Sequence, residues 1–496
     1  VNFQLCMIAP DETPLLTALA IAARRPQTPF YAPGHKRGQG AFLPLQDLLG
    51  TSVFKADLPE LPELDNLFAP AGPILEAQQL AAQAFGAEET FFLANGSTGG
   101  IEAAILAVCA PGDKILVPRN AHRSVLAALV LSGAQPVYLS PKQERPWDLA
   151  LGVTADQVDQ ALKAEPDIRA VVVVSPSYQG VCANIAAIAH RVHQHGCTLI
   201  VDEAHGAHLS FHEQLPQGAI AGGADIVIQS THKVLSALTQ ASMLHVQGHQ
   251  VDRDRLRQAL QLTQSTSPNY LLLASLDAAR QQMATQGHPL LEGTLNMVGE
   301  VRSQLAQLQP LKLLSPDDMA GMRSDFQLDL TRLVVDVSSL GITGFTADEF
   351  LHEQMGVTAE LPTVRQLTFI FSVGNTATDG DRLVQAFQTL IQQSSTLEAT
   401  SHLLLKTELP QGPLISTPPV TPREAFFAKS QTVGISASVG HLCADTVCPY
   451  PPGIPALLPG EVITAAAIAQ LQQIKSAGGV ITGSADPDFH TLRIIC

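Results

Sequence analysis

The chain is poor in charge and in aromatic residues. Of its 496 residues, 15% are Asp, Glu, Lys or Arg and 5% are Phe, Trp or Tyr, against 46% hydrophobic. That balance does not fit a long disordered or coiled-coil chain. Cations are scarcer than anions, 29 Lys and Arg against 45 Asp and Glu, for a net charge of −16. Phosphate backbones are gripped by clustered Lys and Arg, so this balance argues against a duplex-binding protein. No apolar run approaches the roughly 18 to 20 residues of a membrane span, and stretches such as Val171–Val174 and Ile185–Ala189 fall far short. The seven cysteines, at 6, 109, 182, 197, 443, 448 and 496, form no CxxC pair. Their odd number and scatter, with no basic flank and apolar leader at the N-terminus, predict a reducing, cytoplasmic setting. His441, Cys443 and Cys448 are too loosely spaced for a metal cluster, and no metal is expected. What remains is a soluble, acidic, globular protein, long enough for two to four domains and a large core.

Between residues 90 and 242, short β-rich runs alternate with helical stretches. The runs are Thr90–Ala94, Lys114–Val117, Val137–Leu139, Ala170–Val174, Thr198–Val201 and Asp225–Gln229, with helices such as Gly99–Val108, Arg123–Leu131 and Ala186–His195 between them. This alternation predicts an α/β fold with a parallel or mixed sheet covered on both faces. Residues 28–75, rich in Pro and Gly, read as an extended loop region wrapping the core. Downstream, 250–309 reads as long helices, and Arg332–Val337 and Leu367–Val373 as strands of a smaller α/β unit. A linker with five prolines between Pro410 and Pro422 leads to a C-terminal module.

In doubly wound sheets, ligands sit at the carboxyl ends of the strands. After Thr90–Ala94 comes Asn95-Gly96-Ser97-Thr98-Gly99-Gly100, opening a helix whose N–H groups and dipole suit a phosphate. It is neither GxGxxG nor a P-loop, since no Gly-Lys-Ser/Thr occurs in the chain. The next strand ends carry Arg119-Asn120-Ala121-His122, Ser175-Pro176-Ser177-Tyr178, Asp202-Glu203-Ala204-His205 and Ser230-Thr231-His232-Lys233. Each alone is an ordinary cap or turn. Together they deliver a phosphate loop, His, Tyr, Asp and Lys to one rim, and Lys233 is one of only ten lysines. Pyridoxal phosphate (PLP) needs this set: a helix N-terminus for phosphate, a lysine for a Schiff base, a carboxylate for the ring nitrogen and a flat group for its face.

The arrangement resembles aminotransferase-fold (fold type I) PLP enzymes, and its finer motifs resemble their ornithine/lysine/arginine decarboxylase family. Those motifs are Ala32-Pro33-Gly34-His35-Lys36, Leu64-Asp65-Asn66-Leu67, Asn95-Gly96-Ser97-Thr98, Arg119-Asn120-Ala121-His122, Ser230-Thr231-His232-Lys233, Ser265-Thr266-Ser267-Pro268 and Tyr450-Pro451-Pro452-Gly453. The resemblance runs from about residue 28 to 465. It implies a large domain with a mostly parallel seven-stranded sheet, a small α/β domain and a C-terminal α+β module. Boundaries are expected at 1–75 for the N-terminal arm, 76–310 for the large domain, 311–395 for the small domain and 396–496 for linker and C-terminal domain.

Carried over by that resemblance, Lys233 anchors the cofactor and transfers protons, Asp202 pairs with the ring nitrogen, and His122 stacks on the ring with His205 beside it. Gly96, Ser97, Thr98, Ser230 and His232 hold the phosphate, and Ser265 and Ser267 reach that of a neighbouring subunit, making a homodimer the minimal active unit. The substrate is expected to be a basic amino acid, arginine first, then lysine and ornithine, in polyamine supply. Glu461, with Asp57, Glu60 and Glu63 behind it, is the candidate for its cationic end. The chain has no room before residue 28 for the wing domain of longer members, so a simpler oligomer is expected.

Other readings are weaker. Asp202-Glu203-Ala204-His205 spells a helicase box but lacks the phosphate loop that would accompany it. The histidines at 190, 193, 195, 205, 208 and 212 follow no HExxH pattern. Transamination or carbon–sulfur lysis on the same fold, or a non-catalytic PLP-binding protein, are the alternatives.

Overall fold

The computed structural model describes residues 9–144, 147–322, 324–397, 413–450 and 454–496. The motif residues Pro451-Pro452-Gly453 and the linker proline Pro410 lie outside the described residues.

A large sheet runs in the spatial order Glu89–Leu93, Ser242–Val246, Ile226–Gln229, Thr198–Asp202, Ile168–Val174, Lys114–Pro118, Gln135–Leu139 and Ile415–Ser416. Five adjacent strands, from Ile226–Gln229 to Gln135–Leu139, are parallel, and Ser242–Val246 pairs antiparallel with both its neighbours. The expected seven strands are thus present, and an eighth of two residues comes from beyond the small unit to pair antiparallel on the outer edge. The apolar runs Val171–Val173 and Leu199–Val201 are buried on both faces because helices cover both sides. One covering helix, Gly96–Val108, lies very close to the sheet. A Cβ on Gly100 would meet Leu93 Cδ1 at 2.6 Å and Ile228 Cγ2 at 3.0 Å. The missing side chain thus brings the helix N-terminus down to the strand ends.

The N-terminal part is more helical than its Pro and Gly content suggests, with helices Pro14–Arg24, Leu43–Leu49, Thr51–Ala56 and Pro73–Phe85. Pro stands in the first turn of three of them, where it has no helical N–H to lose. In the Leu-Asp-Asn-Leu motif, Asp65 accepts the N–H groups of Asn66, Ala71, Gly72 and Ile74 at 2.8–3.1 Å, closing the loop that starts Pro73–Phe85. Helix Pro14–Arg24 is tied down by Asp277, which accepts the N–H groups of Leu15 and Leu16. Arg280, paired with Asp277, donates to the carbonyls of Pro10 and Glu12.

The 36-residue helix Tyr270–Leu305 leads to a four-stranded antiparallel sheet, ordered Lys312–Leu313, Arg332–Asp336, Gln366–Ile370, Leu361–Pro362, with its own apolar core. The C-terminal part pairs Ser430–Gly434 with Thr491–Ile495, and Cys448–Tyr450 with Val480–Thr482, around a further core beside helix Ala465–Ser476. No helix among the described residues is long and apolar enough to cross a membrane.

Candidate active site

Asp202 is the last residue of a buried strand, and its parallel neighbour Ile226–Gln229 runs directly into the turn Thr231–Val234 that carries Lys233. The register pairs Asp202 with Ile228, so both groups emerge on the same rim. Lys233 Nζ lies 3.0 Å from His205 Nε2, in the loop that follows Asp202. The Tyr178 ring, from the next strand end, packs on His205 at 4.5 Å between centroids, and Lys233 Nζ stands 5.6 Å from it.

Burial lowers the Lys233 pKa and Arg332 adds to this, against the opposing charges of Asp202 and Glu360. A lysine biased toward its neutral amine is the form that attacks a carbonyl. Burial raises Asp202, with Lys233 and the N–H of Ala204 opposing. His205 is held neutral, first by burial and then by Lys233 and Arg332. When Lys233 is an ammonium it can only donate, so His205 Nε2 then accepts and the ring proton sits on Nδ1, which is buried with no partner among the described residues. His122 is pushed down to about 4 by burial, with Lys233 and Arg123 contributing. Its Nδ1 accepts the N–H of Ser124, capping helix Arg123–Ser132 and fixing the ring.

At the other end of the site, Ser97 Oγ and Ser230 Oγ meet at 2.8 Å beside the N-terminus of Gly96–Val108. Gly96 has φ +72°, which favours glycine, and Thr98 is exposed. Thr231 Oγ1, in the same turn as Ser230, is buried and unpartnered among the described residues. His232 donates from Nδ1 to the Ala241 carbonyl at 3.0 Å, leaving Nε2 for another group. Ser265 and Ser267 are exposed, and the N–H of Ser265 reaches Asn95 Oδ1, at the cap of this same helix. Hydroxyls, a helix N-terminus, a lysine with lowered pKa and a buried carboxylate form a donor set that fits pyridoxal phosphate.

The acids expected to meet the substrate are otherwise engaged. Glu461 is held by Arg119 at 2.6 Å and accepts the N–H of Leu458. This pair docks the C-terminal module on the strand that leads to His122, where Arg119, His122, Pro455 and Leu458 line one cleft. Asp57 accepts from His35 Nε2 at 3.0 Å, and His35 Nδ1 accepts the N–H of Gly38. Glu60 binds the Asn66 amide and Glu63 pairs with Arg25. Besides Asp202, a second carboxylate that feels Lys233 is one the motifs did not mark. Glu360, from the small unit, is raised by desolvation and lowered by Lys233 and Arg332. Arg332 is also unmarked: it heads the apolar run Leu333-Val334-Val335, whereas Lys233 comes after its strand. Two other groups, His212 with Glu213 and His288, and Asp486 with Asp488 and His490, bring metal-ligand types together. In the first, both histidines are already hydrogen-bonded to carboxylates, His212 to Glu292 and His288 to Glu213.

The model of the Orn/Lys/Arg decarboxylase major domain matches residues 13–329, and that of the family's C-terminal domain matches 411–483. The chain belongs to the Orn/Lys/Arg decarboxylase family. An arginine decarboxylase of Bacillus subtilis (strain 168) is 38% identical over 484 residues, covering 98% of both chains. An arginine decarboxylase of Bacillus anthracis is 36% identical, over 98% of this chain and 97% of that one. The Francisella novicida lysine decarboxylase LdcF has the same fold, with a TM-score of 0.86 at 23% identity over 98% of this chain and 81% of that one. A ureidoglycine-glyoxylate aminotransferase of Bacillus subtilis shares the fold over 66% of this chain and 87% of its own, with a TM-score of 0.51 at 14% identity. As a family member, the chain is an amino-acid decarboxylase, of fold type I.

Proposed function

We propose that the protein is a PLP-dependent decarboxylase of a basic amino acid, with arginine as substrate and agmatine as product, and with lysine and ornithine as lesser candidates. The observation that carries this is the meeting of Lys233, His205 and Asp202 at one strand-end rim, with the Ser97–Ser230 hydroxyl pair on the same rim. The similarity to full-length arginine decarboxylases supports the choice of arginine. The bound cofactor would supply an electron sink for the carbanion left when carbon dioxide departs.

Lys233 would anchor the cofactor covalently, Asp202 would hold its ring nitrogen, and His122 would offer a neutral ring to it. Gly96, Ser97, Thr98, Ser230 and His232 would hold its phosphate. Nζ of Lys233 carries the proton that the α-carbon receives, and neutral His205 accepts from Nζ and fixes its direction. Glu360 replaces Glu461 as the carboxylate for the substrate's cationic end, because Arg119 already neutralises Glu461. Ser265 and Ser267 extend toward a second subunit, giving a homodimer with composite sites. The setting is cytoplasmic, in polyamine synthesis.

Incubation with arginine, lysine and ornithine, with identification of the amine and carbon dioxide, tests the reading. Keto acid without carbon dioxide would mean transamination instead. Lys233→Ala is expected to abolish both turnover and the borohydride-trappable cofactor. A retained adduct would refute the lysine's role.

A further inference from the structure

Arg332 begins the strand Arg332–Asp336 with its side chain wholly buried. A buried guanidinium is costly unless its donors are met. Its Nη2 donates to the carbonyl of His205 at 3.0 Å and its Nη1 to Thr331 Oγ1 at 3.3 Å, while Nε has no partner among the described residues. The nearest carboxylate, Asp329, is 3.9 Å away and already occupied. It takes His208 Nε2 at 2.9 Å, Thr331 Oγ1 at 2.7 Å and the N–H of Thr331 at 2.9 Å. Burial opposes its charge, yet His208 and Arg332 hold the carboxyl well below the usual range. The cluster also grips the Tyr178 turn. The N–H of Asp329 donates to the Gly180 carbonyl at 2.8 Å, and a Cβ on Gly180 would lie 2.6 Å from Arg332 Cγ. Arg332 therefore fills the space that Gly180 leaves empty, at φ +86°.

We propose that Arg332, braced by Asp329, Thr331 and His208, is a positioning residue. It clamps the Tyr178 turn and the His205 loop together and thereby sets the geometry and charge of the Lys233–His205 pair. This rests on the reading above, in which Lys233 is the reacting amine. The groups acting on Lys233 are Asp202 and Glu360, which favour its ammonium, and Arg332, which disfavours it. His205, His122 and His232 stand beside it, all three shifted toward neutrality by burial. Loss of the Arg332 charge must raise the pH at which the lysine-linked group gives up its proton, whereas loss of packing alone would not.

The test uses wild-type holoenzyme, Arg332→Gln, Arg332→Lys and Thr331→Val. It reads borohydride trapping at Lys233, kcat and KM, and the absorbance of the bound cofactor against pH. Arg332→Gln is expected to keep the trapped cofactor and to lower kcat about tenfold or more with a far smaller change in KM. Its absorbance midpoint should rise by about half a pH unit or more. Arg332→Lys, which keeps the charge and loses the fork, should restore the midpoint and recover only part of kcat. A folded Arg332→Gln enzyme with unchanged kcat and midpoint overturns the proposal. So does an unmoved midpoint with both Arg332 variants equally impaired. If Arg332→Gln does not fold, Thr331→Val, which removes the hydroxyl between Asp329 and Arg332, decides instead. A shifted midpoint or lowered kcat there supports the clamp, and unchanged values refute it. Absence of a trapped adduct on Lys233 in wild type would sink the parent reading and this one with it, whereas a trapped adduct with unchanged Arg332→Gln values would sink this one alone.

Discussion

Beside Asp202, a buried polar chain crosses the sheet. Glu203 accepts from the Gln229 amide at 2.7 Å and from the N–H of Ala219 at 2.7 Å. The Gln229 carbonyl accepts from His245 Nε2 at 3.0 Å, and His245 Nδ1 accepts from Thr90 Oγ1 at 2.8 Å. Burial pushes Glu203 up to about 7, with Gln229 and Ala219 opposing, and pushes His245 down to about 3. The folded carboxyl thus holds its proton to a higher pH than the unfolded one. It contributes stability that is present below about pH 4.5 and is lost as pH rises through about 7. Glu203→Gln removes that dependence. Wild type is expected to lose up to about 3 kcal/mol relative to the variant between pH 4.5 and 7, read by chemical denaturation at each pH. At this scale the sequence is legible where a polar residue directly follows an apolar strand, as Asp202 does and Lys233 nearly does. Arg332 escaped because its partner carbonyl, on His205, is 127 residues upstream. The Arg119 partner of Glu461 is equally out of reach of local pattern, 342 residues away. Glu360 is one acid among 45, with no local pattern to distinguish it.

Among the elements, the strands whose cores are continuous apolar runs were readable. Ser242–Val246 was not, because His245 interrupts its pattern, and only Thr90 and Gln229 on the flanking strands make that histidine tolerable. The edge strand Ile415–Ser416 is two residues long and has no periodicity to read. Helix Pro14–Arg24 depends on an ion pair two hundred and more residues away. Removing Arg280 would leave Asp277 charged and unpaired in the core. Arg280→Ala is therefore expected to cost about 3–5 kcal/mol in urea unfolding. The double variant Asp277→Asn, Arg280→Met should recover much of it, since no buried charge then remains.

Among the described residues, an apolar helix face stands open that the molecule's own packing does not cover. Leu43–Leu49 buries none of its residues, and Leu43 and Leu48 are 69% and 79% exposed beside Phe42 at 75%. A patch of this kind is expected to lie against a second subunit. If the proposed homodimer uses this face, Leu48→Glu shifts sedimentation toward the monomer and lowers activity with it. Unchanged sedimentation would remove this face from any subunit contact.

The two-residue strand Ile415–Ser416 also bears on how the chain is made. It covers the outer edge of Gln135–Leu139, yet it leaves the ribosome about 275 residues later. At about 5–20 residues per second, that strand edge stands open for roughly 14 to 55 s. An open edge of apolar strands is a template for pairing with a neighbouring chain. Nascent chains on one message are therefore most prone to aggregate in that interval, and less so once the linker has closed the sheet.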